Sequence, residues 1–178
     1  MPYETNAKKV QQFMTQMGRK TIGPCRIYFT GGASAVLEDW RPTTLDIVLH
    51  FAPEPKGAFE AIADIKRSLN INIELAKPSD FIPEVPGWED RSPFVNKVRN
   101  AHFFHYDFVS QALAKLERGH EKDLLDVREM HKRGLIDGSR LLDYFESIVP
   151  NLIRYPAIDE DSFRKRVEKM VQEFQDES

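Results

Sequence analysis

Two adjacent glycines constrain this chain most. Gly31 and Gly32 stand directly behind Arg26–Thr30 (RIYFT), an aromatic and β-branched run that reads as a strand. Directly after them, Ala33–Asp39 reads as a short helix. A glycine pair lets the backbone turn sharply and lets another group come close, because no Cβ intervenes. Pro42 breaks the chain, and Leu45–Phe51 (LDIVLHF) reads as a second strand. Lys56–Leu69 reads as an amphipathic helix with Phe59, Ile62, Ile65 and Leu69 along one side, and Ile71–Ala76 (INIELA) as a third strand. Ahead of all this, Thr5–Met17 places Val10, Phe13, Met14 and Met17 at helical spacing, with Thr5 or Asn6 as cap and Gly18–Pro24 as the end. Helix, strand, helix, strand, helix, strand implies a small mixed α/β sheet.

Pro78–Pro93 is a long proline-rich loop carrying Phe81, Ile82 and Trp88. Loops of this length in a compact domain tend to be functional or packed as a lid. Trp88 reads as an apolar plug for the loop, with stacking on a base as the alternative. Phe94–Tyr106 contributes one or two further strands. Its histidines, His102 and His105, read as strand residues packed among phenylalanines rather than as a metal pair. From Asp107 the chain is mostly helical, with helices expected over Asp107–Arg118, Glu121–Arg133, Gly138–Val149 and Asp159–Phe174. Gly119 separates the first two, and Gly134 caps the second. The expectation is an α/β core with an N-terminal helix over residues 1–106, and a helical half over 107–178 packed on the same core.

The 178 residues are enough for such a domain. Apolar residues at 41% and charged residues at 30% describe a globular chain, not a disordered one. The net charge of −3 argues against a protein that binds nucleic acid over a broad basic surface. Cys25 is the only cysteine, which excludes an intrachain disulfide and a multi-cysteine zinc site. No run approaches the length of a membrane span, and the opening MPYETNAKKVQQF lacks the apolar core of a secretory signal. A cytoplasmic setting, away from membranes, is expected.

The chemistry lies between Phe29 and Phe51. A strand runs into Gly31-Gly32, then a short helix, then a strand carrying Asp46 inside an otherwise apolar run. Glycines and helix-start N–H groups suit an anion. A carboxylate in such a strand is costly unless it is paired or liganded. The alternatives are a simple tight turn at the glycines and a salt bridge from Asp46 to Arg41 or Lys115. Mg²⁺ is commonly held by one or two carboxylates plus substrate phosphates, so a phosphate-cradling turn beside Asp46 forms a coherent site.

These residues resemble the nucleotidyltransferase superfamily, whose motif is an apolar residue, Gly, then Gly or Ser, a spacer, and Asp-x-Asp or Asp-x-Glu in a strand, with a third carboxylate on a later strand. Gly31-Gly32 matches the first element, and Asp46, after thirteen intervening residues, matches the first acid. Glu74, between Ile73 and Leu75, matches the third. Trp40-Arg41 and the Thr44-x-Asp46-Ile47 run, Pro78-Ser79-Asp80-Phe81, Pro86-Gly87-Trp88 and Lys115–Gly119 followed by Lys122-Asp123-x-x-Asp126-Val127 look like a minimal bacterial branch whose relatives include toxin–antitoxin and abortive-infection components. The likeness spans residues 20–140. It departs at Val48, where the second acid should stand. Glu38 and Asp39, in the intervening helix, are not expected to replace it.

The resemblance implies an Mg²⁺-dependent enzyme that transfers a nucleotidyl group from a nucleoside triphosphate to an acceptor hydroxyl on RNA, a protein or a small molecule. Gly31, Gly32 and Ser34 would cradle phosphates, and Asp46 would hold metal. Glu74 would hold metal or act as base, while Lys115 and Arg118, with Asp123 as a weaker candidate, would face the triphosphate. Val48 supports the alternative of a catalytically silent relative that serves as a nucleotide-binding, regulatory or toxin–antitoxin partner. Oligomer formation is left open.

Overall fold

The computed structural model describes residues 4–177. It is an α/β structure that divides into two compact units. One comprises the chain up to Lys77 together with Ser92–Tyr106, and the other Pro78–Arg91 and the chain from Asp107 onward.

The first unit is built in the order α1 (Ala7–Lys20), β1 (Cys25–Thr30), α2 (Gly32–Leu37), β2 (Asp46–Phe51), α3 (Ala58–Leu69), β3 (Asn72–Leu75), β4 (Phe94–Val98) and β5 (Ala101–His105). The five strands form one mixed sheet in the order β3-β2-β1-β5-β4. β1 pairs antiparallel with β2 and parallel with β5, β2 pairs parallel with β3, and β4 pairs antiparallel with β5. Alternation decides the faces. Ile47, Leu49 and Phe51 are buried, while Asp46, Val48 and His50 point the other way and are half-buried. Ile27, Phe29, Ala101 and Phe103 extend the buried face, and Phe13 lies edge-on to both Phe29 and Phe103.

α1 and α3 complete that core. α1 contributes Val10, Phe13, Met14 and Met17 as anticipated, and Asn6 is its cap, its side chain accepting from Lys9 N at 2.9 Å. The helix runs on to Lys20, through Gly18, which sequence reading takes as a terminator. Gly18 is buried because the helix presses on β4: a Cβ there would overlap the Val98 side chain and lie 2.7 Å from the Val98 carbonyl oxygen. In α3 the buried stripe is Ala58, Ala61, Ile62 and Ile65, and Phe59 is 62% exposed. Residue 59 lies about 100° around the helix from residue 58, so it cannot share a stripe set by the positions 58, 62 and 65.

The second unit holds α4 (Trp88–Arg91), α5 (Phe108–Arg118), α6 (Glu121–Lys132), α7 (Leu141–Ile148) and α8 (Glu160–Asp176). The expected helix over Gly138–Val149 is α7 flanked by two 3₁₀ turns, Gly138–Arg140 and Val149–Arg154. Asp137 caps the first turn by accepting from Ser139 N at 3.1 Å, and Pro150 sits near the start of the second. Leu113, Leu116, Val127, Met130, Phe145 and Phe163 are fully buried, with the Phe145 and Phe163 rings edge-on at 4.8 Å. Trp88 is buried at the end of the proline-rich segment. That segment is tied to α5 by Arg91, which donates to both Asp107 oxygens (3.1 and 2.8 Å) and to the Pro86 carbonyl at 2.7 Å. Asp107 also caps α5, accepting from Val109 N and Ser110 N. Among the described residues no helix is long and apolar enough to cross a membrane.

Gly18→Ala separates propensity from packing. Helix propensity alone expects a gain of about 1 kcal/mol. Contact with Val98 expects a net loss of about 1–3 kcal/mol, as overpacking costs. Urea unfolding should show the loss; a stabilised variant would contradict the close approach of α1 to β4.

Candidate functional site

The site is laid out by strand register. β2 sets Asp46 opposite Asn72 and Val48 opposite Glu74 on β3, while β1 sets Thr30 opposite Val48. Opposed residues in neighbouring strands share a face. Asp46, Val48, Asn72, Glu74 and Thr30 therefore all lie on the face turned away from the core helices. Asp46 and Glu74 are diagonal neighbours on that face, about 8 Å apart between Cα atoms by sheet geometry. Thr30, Val48 and Glu74 form one row across the sheet, with the methyls of Val48 in its middle. Asp46 and Asn72 form the next. Glu74 is exposed and Asp46 half-buried.

Asp46 has a specific partner: the Asn72 side-chain amide donates to its Oδ1. A carboxylate so held keeps lone pairs on Oδ2 for another contact. Sequence reading does not single out Asn72, because nothing in INIELA marks it until the register is known.

Gly31 and Gly32 turn the chain from β1 into α2. Gly31 has φ +62° and ψ −130°, a backbone state that favours glycine. Gly32 has no such need. A Cβ on Gly32 would overlap Thr44 Oγ1 and stand 2.6 Å from Thr44 Cβ. Thr44 in turn donates through Oγ1 to the Asp46 carbonyl at 3.1 Å. The turn and the start of β2 are thus in direct contact.

Ser34, the third residue of the expected phosphate cradle, is fully buried. Its hydroxyl lies 2.9 Å from His105 Nδ1 and 3.3 Å from the Phe29 carbonyl. His105 Nε2 lies 3.0 Å from Glu38 Oε1. A carboxylate needs a proton facing it, so Nε2 carries the hydrogen and Nδ1 accepts from Ser34. The imidazole thereby joins the first turn of α2 to its C-cap, Glu38, and anchors the helix to the end of β5. Burial pushes the His105 pKa down to about 4. His102 falls on the opposite sheet face from His105, opposite Arg26 where His105 is opposite Phe29, so the two do not form a metal pair.

Lys115, Arg118 and Asp123 come together in the second unit, joined by Asp126. Lys115 Nζ is 2.9 Å from Asp126 Oδ2 and 3.9 Å from Asp123 Oδ1, and Arg118 donates to both Asp123 oxygens at 3.2 and 2.7 Å. Lys115, Asp123 and Asp126 are all buried. Burial opposes the charge of Asp123, but the Arg118 hydrogen bond and charge, with the Lys115 charge, outweigh it and hold the carboxyl below its ordinary range. Two cations face two anions, so a triphosphate would compete with Asp126 for Lys115.

Among the described residues no group of three His, Cys, Asp or Glu side chains is placed to hold a metal ion. Asp46 and Glu74 are hard oxygen donors of the kind Mg²⁺ takes, but they are two, and a two-ion centre needs more shared acids. No family model matches the sequence, and neither curated proteins nor solved structures match it.

The depressed His105 pKa has a stability signature. Unfolded, the imidazole titrates near 6.5; folded, near 4. Between those values the unfolded chain binds the extra proton, so this contribution is complete above pH 6.5 and is lost as pH falls toward 4, by on the order of 3 kcal/mol at most. Denaturant unfolding from pH 7.5 to 4 should show that slope, and His105→Gln should flatten it whatever its absolute stability. An unchanged slope in the variant would contradict a buried neutral imidazole.

Proposed function

We propose that this chain is a nucleotidyltransferase-like protein that binds a nucleoside triphosphate at the Gly31-Gly32 turn and transfers little or nothing by itself. It would act as a nucleotide-binding or regulatory partner of the kind found among toxin–antitoxin relatives. One observation carries this reading: Val48 fills the centre of the face on which Asp46 and Glu74 lie, directly opposite Glu74. An acid at that position would stand beside both existing carboxylates. A valine there leaves a pair.

The nucleotidyltransferase type of the sheet is part of this proposal. Its support is the sequence of glycine turn, Asp46 strand and Glu74 strand, with both acids on one face. The turn would approach the phosphates through its backbone, and Asp46, oriented by Asn72, would hold from β2 a Mg²⁺ ion carried by them. A bound Mg²⁺ would neutralise phosphate charge and orient an attacking oxygen.

The shared face of Asp46 and Glu74 also supports a second reading, a weak one-ion transferase. There Glu74, exposed on the edge strand, would take the proton of an acceptor hydroxyl on RNA, protein or a small molecule as its oxygen attacks the α-phosphorus and pyrophosphate leaves.

The discriminating test uses labelled nucleoside triphosphates, Mg²⁺, bulk RNA and candidate protein acceptors. The native chain should bind triphosphate, more tightly with Mg²⁺ than without it, and give label incorporation at background. Val48→Asp should raise incorporation at least about tenfold, equivalent to roughly 1.4 kcal/mol of barrier. Incorporation by the native chain that Glu74→Gln abolishes would favour the second reading. Neither binding nor incorporation, in either form, would sink both.

A further inference from the structure

We propose that Thr44 is a positioning residue that clamps the diglycine turn to the start of β2 and so sets where the turn stands relative to Asp46. The functional side of this inference rests on the reading that turn and carboxylate serve one ligand; its structural side does not.

Three contacts converge on Thr44. Its side chain fills the space that a Cβ on Gly32 would need, overlapping through Oγ1 and standing 2.6 Å away at Cβ and 3.4 Å at Cγ2. The same Oγ1 donates to the Asp46 carbonyl at 3.1 Å. Its backbone exchanges two hydrogen bonds with Thr5, 2.8 and 2.9 Å, as an antiparallel bridge. Gly32, unlike Gly31, is not among the glycines with positive φ, so its backbone does not call for glycine. The space occupied by Thr44 does. The second glycine of the motif is therefore explained by close packing of the turn on residue 44.

The consequence is geometric. A ligand that touches the turn and Asp46 together needs a fixed spacing between them, and errors of about 1 Å are costly in such sites. Thr44 links the two elements: one atom, Oγ1, stands against the turn on one side and donates to the β2 backbone on the other. Serine keeps Cβ and the hydroxyl. Valine keeps the shape and loses the donor. Glycine removes the obstacle to a Cβ at position 32.

The test compares Gly32→Ala, Thr44→Gly, the combined swap, Thr44→Ser and Thr44→Val in the full chain. Two readouts are taken: backbone hydrogen exchange at residues 31–34 and 46–48, and equilibrium binding of ATP with and without Mg²⁺. Gly32→Ala should speed exchange in both segments together and weaken ATP binding about tenfold or more, a coupling of about 1.4 kcal/mol. The swap should recover much of that loss. Thr44→Ser should stay near the native chain, whereas Thr44→Val should loosen both segments and weaken binding. Should Gly32→Ala alone not fold, the swap and the serine–valine pair decide. Equal damage from Gly32→Ala with and without the Thr44 side chain, or valine behaving as serine does, would overturn the clamp. If the native chain binds no ATP, the proposed function fails, while the exchange data still decide whether Thr44 couples turn to strand.

Discussion

The pairing of β2 with its two neighbours is the constraint from which everything else follows. Side chains alternate along a strand, so a slip of one residue would carry Asp46, Val48 and His50 to the core face and turn Ile47, Leu49 and Phe51 out to the opposite face. Losing burial costs roughly 1.5–3 kcal/mol for each large apolar side chain. Burying an unpaired carboxylate costs more again. The buried triplet on β2 thus fixes, as a by-product of making a core, which face receives the acid. The parallel register with β3 then decides that Asn72, not Glu74, is the residue beside Asp46, and that Glu74 stands beside Val48.

Around that face the structure is held by polar contacts that leave few side chains loose. Asn72 orients Asp46, Thr44 ties the turn to β2, and the His105 imidazole fastens both ends of α2 through Ser34 and Glu38. A neutral histidine suits the last task. It donates from one ring nitrogen and accepts at the other, and it avoids burying a net charge. On its core side the turn is held by these contacts. In the helical unit the same economy holds, with Lys115, Arg118, Asp123 and Asp126 balancing one another.

Much of the fold was legible in the sequence because its strands carry clean signals. The aromatic run before the glycines, the alternating LDIVLHF and the Val10-Phe13-Met14-Met17 stripe all specify their elements. Gly18 misled because a glycine that ends a helix and a glycine that lets a helix approach a strand look alike until β4 is in place. Phe59 lies three residues before Ile62 and so suggests the same face, but the buried stripe is set from Ala58. The site was less legible. Parity along β2 can be read from one strand, but the relation of Asp46 to Glu74 depends on inter-strand register, a long-range property. Asn72 carries no chemical flag, Thr44 stands out only as part of the run leading to Asp46, and Ser34, which looks like a phosphate ligand by position, belongs to a buried relay whose partner is seventy-one residues away.

The proposed nucleotide site requires the diglycine turn, Asp46 and Glu74 to border one ligand-accessible face. Paramagnetic broadening of assigned amide signals on titration with Mn²⁺ and a nucleoside triphosphate tests it most directly. Signals of residues 31–33, 46–48 and 72–74 should broaden together, and Asp46→Asn should weaken the effect across all three segments. Broadening confined to other parts of the chain, or none at millimolar nucleotide, would mean that the three segments do not share a ligand.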